Sequence, residues 1–466
     1  MGVIDDFKQE KNRIAIIIAT EKMIMDKYNI TIDKLELKGI IEQIILSICN
    51  DAILIKNVVK LIELNTIALT KIKDYIEYNI PNNDKYRDNI KILENNPISF
   101  LHTIEPLIAN PFEQGSREEI VFKKAKEFFD EFMEDGVLQS DPSESIYAYR
   151  TFNRGQWQQG IWCLTSIDDY LNNSLKKHEL TRTEREKDLI EYLDNTGIDA
   201  NPVLVTYQGS SKIQEILNQV MATLPDFDYH ANDQQHQLWH IDSAQMIQEL
   251  IAEFKKFEAT YIADGHHRAA AAALAGTQKR KNNFKHHGRE EYNFFSTIYF
   301  SFEELQIFEF QRVLKDLNGL SNSEFLTKLS DNFDLTLSDA AKPMHPREFK
   351  LYIDHTWYKI TPKQVDTTLT EPIDLLDVSI LQTQILHPIL GITNPRRDPR
   401  ISFVGGIVPI QEITKSIDAG ESAAAFILFP TSIEELVAVS DAGSVMPPKS
   451  TWFEPKLPCG LVVHQL

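Results

Sequence analysis

Cysteine is scarce: Cys49, Cys163 and Cys459 are the only three in 466 residues, far apart and in no metal-ligand spacing. That excludes a zinc knuckle and a disulfide scaffold, and makes reduced thiols and a cytoplasmic location the expectation. Long apolar runs are missing too. Stretches such as Ile14 to Ala19 and Ala423 to Phe429 fall far short of the roughly 20 residues a membrane helix needs. No apolar segment near the N-terminus is followed by a small-residue cleavage site. Basic residues are outnumbered, 48 Lys and Arg against 68 Asp and Glu, for a formal net charge of −20. A surface of that sign repels a phosphate backbone, so a general nucleic-acid coat is not expected. Neither GxxxxGK[ST] nor GxGxxG occurs, which removes the usual nucleotide cradles.

What is present changes texture along the chain, whose length allows two or three domains. Residues 1 to 85 are dense in isoleucine, lysine and asparagine, and their apolar residues recur at helical spacing through Leu37, Ile40, Ile41, Ile44, Ile45 and Ile48. A helical N-terminal appendage is expected there. From residue 86, Asn95 to His102 reads as a turn followed by a short strand, and Arg117 to Met133 as a charged amphipathic helix. Ser145 to Arg150 and Gly160 to Leu164 read as strands joined by a loop at Asn153-Arg154-Gly155. Thr181 and Glu184 have capping-box spacing, predicting a helix towards Gly197 that leaves His178 and Glu179 on the preceding loop. A buried strand at Asn201 to Tyr207 follows, then helices at Ile213 to Met221 and Ala244 to Phe257, and a strand within Glu290 to Phe302. This alternation predicts an α/β (α+β) core over 86 to 315, with a second α/β region over 316 to 466.

The densest chemistry lies at Asp264-Gly265-His266-His267-Arg268, between a short apolar strand at Ala259 to Ala263 and an alanine-rich helix for which Gly276 is the expected C′ residue. Helix N-termini leave N–H groups unpaired and favour anions. Gly265 admits a ligand close to the backbone, Arg268 can grip a phosphate, and His266 and His267 add donors or proton carriers. Asp264 points to a divalent metal beside the phosphates or to a carboxylate that orients a histidine. On the preceding loop, Glu179 can serve as general base with His178 orienting it. In the Met446 to Phe453 segment the pair Pro447-Pro448 excludes regular helix, and Lys449 and Ser450 can contact an anion. His102 and the pair His286-His287 read as structural or solvated.

Six ordered motifs carry a resemblance: Asn96 to His102, Lys177 to Thr181, Asp264 to Arg268, Arg312 to Gly319, Phe403 to Gly406 and Met446 to Phe453. On them the chain from about residue 86 onward resembles the DUF1015 family. The Asp-Gly-His-His-Arg turn also resembles the phosphate-binding turn of the ParB/sulfiredoxin-like fold. Among proteins of that fold, the archaeal ADP-dependent free serine kinase is similar in the order of a His-Glu pair, a proline-containing strand and this turn. Two departures stand out. The family's Pro-Pro-Tyr-Asp segment is absent from the first 85 residues, and Gln311 precedes the Arg312 motif where the family often has histidine or asparagine.

The resemblance implies a phosphotransferase acting on free L-serine, or running in reverse on phosphoserine, with ADP or ATP as co-substrate and Mg²⁺ as metal. Glu179, His178 and His267 would be catalytic. Gly265, His266, His267, Arg268, Lys449 and Ser450 would bind phosphate or nucleotide, and Asp264 the metal. The alternatives are a non-catalytic regulator that binds a nucleotide or phosphometabolite at the same turn, and a ParB-like nucleic-acid protein, which the acidic balance disfavours.

Overall fold

The computed structural model describes residues 99, 100, 103, 117–231, 234–364 and 370–466. The expected helices within residues 1 to 85, and His102, lie outside them. The chain divides into two compact units, Met1–Leu138 and Gln139–Leu466. In the first, helix α1 (Arg117–Glu134) forms where the charged amphipathic pattern predicts it. Lys124 meets Glu127 at 2.9 Å and Lys126 meets Asp130 at 2.7 Å, at the spacings that bring helix side chains together. Phe100 stands in a turn rather than the expected strand. Its carbonyl accepts both the backbone N–H and the hydroxyl of Thr103, a local closure that competes with extended pairing.

The second unit contains a mixed eight-stranded sheet. Its first hairpin joins β1 (Ile146–Asn153) to β2 (Gln156–Ser166), and the remaining strands are β3 (Leu175–Lys176), β5 (Val203–Tyr207), β6 (Phe227–Ala231), β7 (Gln234–Ile241), β8 (Thr260–Asp264) and β9 (Phe294–Ser301). A short β4 (Ile198–Asp199) lies between β3 and β5 in the chain but outside this sheet. The spatial order is β3-β8-β5-β9-β2-β1-β7-β6, with β3/β8 and β5/β9 parallel. The hairpin turn is the two-residue Arg154-Gly155 at φ 51° and 88°, the pairing that keeps the strands' twist.

The two faces of this sheet follow the period of two along each strand. Val203, Val205, Ile262, Phe295 and Tyr299 face one way and share a core with Ile213, Leu217, Leu250 and Ala269. These last come from α4 (Ser211–Met221), α5 (Ala244–Phe254) and α6 (His266–Asn282), which follow α2 (Ile167–Leu171) and α3 (Thr183–Thr196) in the chain. Leu204, Ile298, Phe300 and Trp162 face the other way, into a core continuous with the C-terminal region.

There a six-stranded, wholly antiparallel sheet has the order β12-β14-β13-β16-β11-β15. Its strands are β11 (Phe310–Leu314), β12 (Phe333–Leu337), β13 (Phe349–Ile353), β14 (Thr356–Pro362), β15 (Ile401–Gly405) and β16 (Ala424–Ile427). One face joins the shared core with Phe325, Leu329, Leu436 and Val439, and the other packs Val313, Tyr352 and Ile427 on Ile413 and Ile417. The helices beginning at Asn322 and Ile433 start in capping boxes, Ser321 with Glu324 and Ser432 with Glu435. Two small ladders complete the architecture: β10 (Gln306–Phe308) with β17 (Trp452–Glu454), and β18 (His464–Gln465) with β4. The protein is thus a mixed α/β fold, and no helix among the described residues is long and apolar enough to cross a membrane.

Two further local expectations change, and one hairpin was not foreseen. Gly276 is not a C′ residue but lies inside α6, which continues to Asn282. A Cβ there would run into the Tyr292 carbonyl oxygen and come within 2.6 Å of Ile167, so the glycine serves close packing. Thr181 and Glu184 form no capping box. The N-cap of α3 is Arg182, which makes no side-chain cap, although Gly197 closes the helix in the left-handed conformation as expected. The hairpin of β6 and β7 has no counterpart in the sequence reading, because its His, Gln and Asp residues break the apolar alternation.

Candidate active site

Strand β8 ends at Asp264, and α6 begins two residues later. The join requires Gly265: its φ is +100°, and a Cβ would lie 2.9 Å from Arg268 Nε. No side chain caps α6, so the positive end of a 17-residue helix is left for another partner. Arg268 does not fill that role. Its Nη1 donates to the Asn201 carbonyl at 3.1 Å, to the Asn201 side chain and to the Pro202 carbonyl. Its Nη2 donates to Asp264 Oδ2 at 3.4 Å. The guanidinium braces the turn against the entry to β5, so the free two-pronged grip expected from the sequence is not what the geometry offers.

The two histidines hold the loop that carries Glu179. His178 N–H points at His266 Nε2 at 3.4 Å, and Arg182 N–H donates to His267 Nε2 at 3.0 Å. The His178 and His266 rings meet edge to face at 4.4 Å. With Nε2 accepting, each of His266 and His267 carries its proton on Nδ1 when neutral. Burial drives His178 down to about 4, against the pull of Asp264, and drives His266 well below the ordinary histidine value. His267 is lowered by burial and by the nearby charges of Arg182 and Arg185. All three rings are therefore neutral near pH 7.

Glu179 stands at the meeting point. Its Oε2 lies 3.9 Å from His266 Nδ1 and its Oε1 lies 3.9 Å from Arg396 Nη2, with the side chain 43 % exposed. Burial raises its carboxyl, Arg396 and Lys449 lower it, and Asp264 raises it again. A carboxylate under opposing influences of this kind, beside a cavity, is suited to exchanging a proton.

The cavity has a volume of about 130 Å³, and His178, Glu179, Asp264, Lys449, Trp452 and Phe453 are among the residues that line it. His178 closes it from below: the ring is buried, its Nδ1 meets no partner among the described residues, and its carbonyl accepts the Met446 N–H at 2.8 Å. Lys449, at φ +56°, holds its ammonium 5.2 Å over the Phe310 ring. Ser450 also lines the cavity, but its hydroxyl donates to the Pro447 carbonyl at 2.7 Å and is not offered to an anion. Arg312 supports this segment from beneath, donating to the Phe310 carbonyl at 2.5 Å and to the Pro448 carbonyl at 3.4 Å. Its complete burial lowers the guanidinium to about 9.

The sequence-predicted residues thus converge. His178, Glu179, Asp264, Lys449 and Ser450 share one cavity, with Gly265, His266, His267 and Arg268 on the adjoining turn. His286 and His287 lie beyond the far end of α6, tied to Glu290. Sequence reasoning missed Arg396, for which the signal was three arginines, Arg396, Arg397 and Arg400, directly after Asn394-Pro395 in an acidic chain.

The profile of a family described as "Protein of unknown function (DUF1015)" matches residues 78–379. The chain belongs to the DUF1015 family. No curated protein shows significant similarity to it. Solved structures similar to this DUF1015 member include a free serine kinase in complex with AMP, at 14 % identity over 66 % of this chain and 91 % of that chain, TM-score 0.33. SbnI with C-terminal truncation from Staphylococcus aureus has 12 % identity over 65 % and 87 %, TM-score 0.34. A conserved hypothetical protein from Pyrococcus furiosus has 15 % identity over 64 % and 93 %, TM-score 0.30. Likeness at this distance carries nothing about the chemistry of the DUF1015 site, which is read from its own residues.

Among the described residues no group of three or more His, Cys, Asp and Glu side chains could hold a metal ion. Asp264, its carboxylate 51 % exposed beside the cavity, is a hard oxygen donor of the kind Mg²⁺ takes singly when phosphate oxygens and water complete its shell. The residues of this DUF1015 protein therefore fit a metal that arrives with a phosphorylated ligand.

Proposed function

We propose that this DUF1015 protein transfers a phosphoryl group between a nucleotide and a small hydroxyl compound, free L-serine being the acceptor of choice, in either direction. The observation that carries the reading is the position of Glu179, a carboxylate beside a 130 Å³ cavity and 3.9 Å from a histidine on the uncapped turn of α6. A cavity of that volume suits an acceptor of amino-acid size. Phosphoryl transfer asks a protein chiefly to align the acceptor and to neutralise charge on the phosphates.

In the forward direction Glu179 accepts the acceptor's hydroxyl proton as the new O–P bond forms. The bond to the leaving phosphate oxygen breaks, and its electron pair departs with the nucleotide, AMP from ADP or ADP from ATP. Gly265, the α6 N–H groups and the Nδ1–H of His266 and His267 face the phosphate charge, and Lys449 adds a cation. His178 stays neutral and holds the loop. Asp264, braced by Arg268, would hold Mg²⁺, which when bound neutralises charge on the transferring phosphates.

The test is formation of O-phosphoserine by the purified protein from L-serine with Mg²⁺ and either ADP or ATP. Product with one donor, lost in Glu179→Gln and reduced in His267→Ala, is the expected result. Nucleotide binding without product removes the catalytic reading and leaves a binding regulator.

A further inference from the structure

The site's anion end needs a planar, two-pronged donor, and Arg268 does not provide one, because its Nη1 is committed to Asn201 and Pro202. Another arginine stands opposite. The segment from Asn394 to Arg400 is folded on itself: Asn394 accepts the N–H groups of Arg396, Arg397 and Asp398 at 3.0 to 3.1 Å through its side chain or carbonyl. Arg400 fixes the segment, pairing with Asp398 at 2.7 Å and donating to Asn318 at 3.1 Å and to the Leu390 carbonyl at 2.9 Å. Arg396 takes no part in that bracing. Among the described residues its guanidinium has one ionic contact, Glu179 at 3.9 Å, and makes no side-chain hydrogen bond. Its charge is also felt at His267, on the first turn of α6.

We propose that Arg396 is the anion-binding arginine of this site, shared between Glu179 and the phosphate oxygens of the donor. The assignment rests on the phosphoryl-transfer reading for the identity of its ligand. An ion pair at 3.9 Å in a partly exposed setting is weak, whereas a bidentate guanidinium–phosphate contact is short and charge-assisted, so a phosphate displaces Glu179 as the preferred partner. The adjoining cavity, lined by Glu179 and Lys449, and the uncapped N-terminus of α6 leave room and positive charge for such a ligand at this corner.

The experiment is calorimetric titration of the full-length protein with ADP, inorganic pyrophosphate and adenosine, for wild type, Arg396→Gln, Arg396→Lys and Arg397→Gln. Arg396→Gln is expected to weaken ADP and pyrophosphate about ten- to a hundredfold and to leave adenosine unchanged. Arg396→Lys should recover part of the loss, and Arg397→Gln should stay within twofold of wild type. Equal affinities in wild type and Arg396→Gln, equal losses in Arg397→Gln, or no pyrophosphate binding by wild type would each overturn the assignment. Pyrophosphate binding that depends on Arg396, without any O-phosphoserine formed, sustains the arginine and removes the serine kinase reading.

Discussion

The same dipeptide, His-His, occurs at the two ends of α6 in opposite circumstances. His266 and His267 form the first turn; His286 and His287 follow the last. The first pair accepts backbone N–H groups from a distant loop and thereby brings Glu179 to the helix N-terminus. The second pair is bound locally. Glu290 accepts the N–H groups of His287 and Gly288, each at 2.8 Å, and lies 3.1 Å from His286 Nδ1. Desolvation raises the Glu290 carboxyl, but those N–H groups hold it down at about 2. A carboxylate already satisfied by its own loop has little left to offer a ligand. One held between an arginine and a neutral histidine, without a short hydrogen bond to either, has a good deal. The lesson is that residue type names the possible chemistry, and the partners decide whether it is available.

The sharpest way to break this contrast is at the carboxylate. Glu179→Gln is expected to lower phosphoryl transfer about 10³-fold while leaving ADP affinity within about threefold, read by single-turnover kinetics beside calorimetry. Normal turnover in that variant would remove Glu179 from the proton step.

Acid stability comes next. His178 falls from its usual 6.5 to about 4 on burial. Between those values the unfolded chain binds the extra proton, so native stability falls as pH drops through that window, by up to about 3 kcal/mol. Urea unfolding at pH 7 and 4.5 should display the loss in wild type, and His178→Asn should flatten it. An unchanged slope in the variant would mean that the acid sensitivity arises elsewhere.

A smaller effect is expected midway along the helix that separates the two pairs. Gly276→Ala sets a Cβ against the Tyr292 carbonyl oxygen and should cost about 2 kcal/mol in thermal or chemical unfolding. A stabilised variant would contradict the close-packing role and favour the helix-propensity gain that alanine normally brings. Smallest of all is the direct swap between the ends. His267→Ala should weaken ADP binding about tenfold, and His287→Ala should leave it unaltered, since that ring is largely exposed and touches only its own loop.

How much of this was legible depends on range along the chain. The turn from Asp264 to Arg268 could be read because a short apolar strand, a glycine and an alanine-rich helix are neighbours in sequence, and each acts locally. The position of Glu179 on a loop followed from the helix after it, although the capping argument behind that helix was mistaken. The chain at Arg182 is held by His267, 85 positions away, and no spacing rule within the loop can register such a partner. Gly276 was misread for the same reason, because the atoms that require it belong to Tyr292 and Ile167. The commitment of Arg268 to Asn201 and Pro202 was likewise invisible, since an arginine on a phosphate-like turn reads as free until its neighbours are known. Arg396 comes from the connection between β14 and β15 of the second sheet. In one dimension it is another surface charge.

The most direct measurement is an ADP titration of the full-length protein followed through its histidine ring signals by NMR, assigned with single His→Gln variants. The account expects the His266 and His267 resonances to move on ADP binding while those of His286 and His287 stay fixed. Movement of His286 and His287 alone, with the first pair unperturbed at saturation, would contradict it.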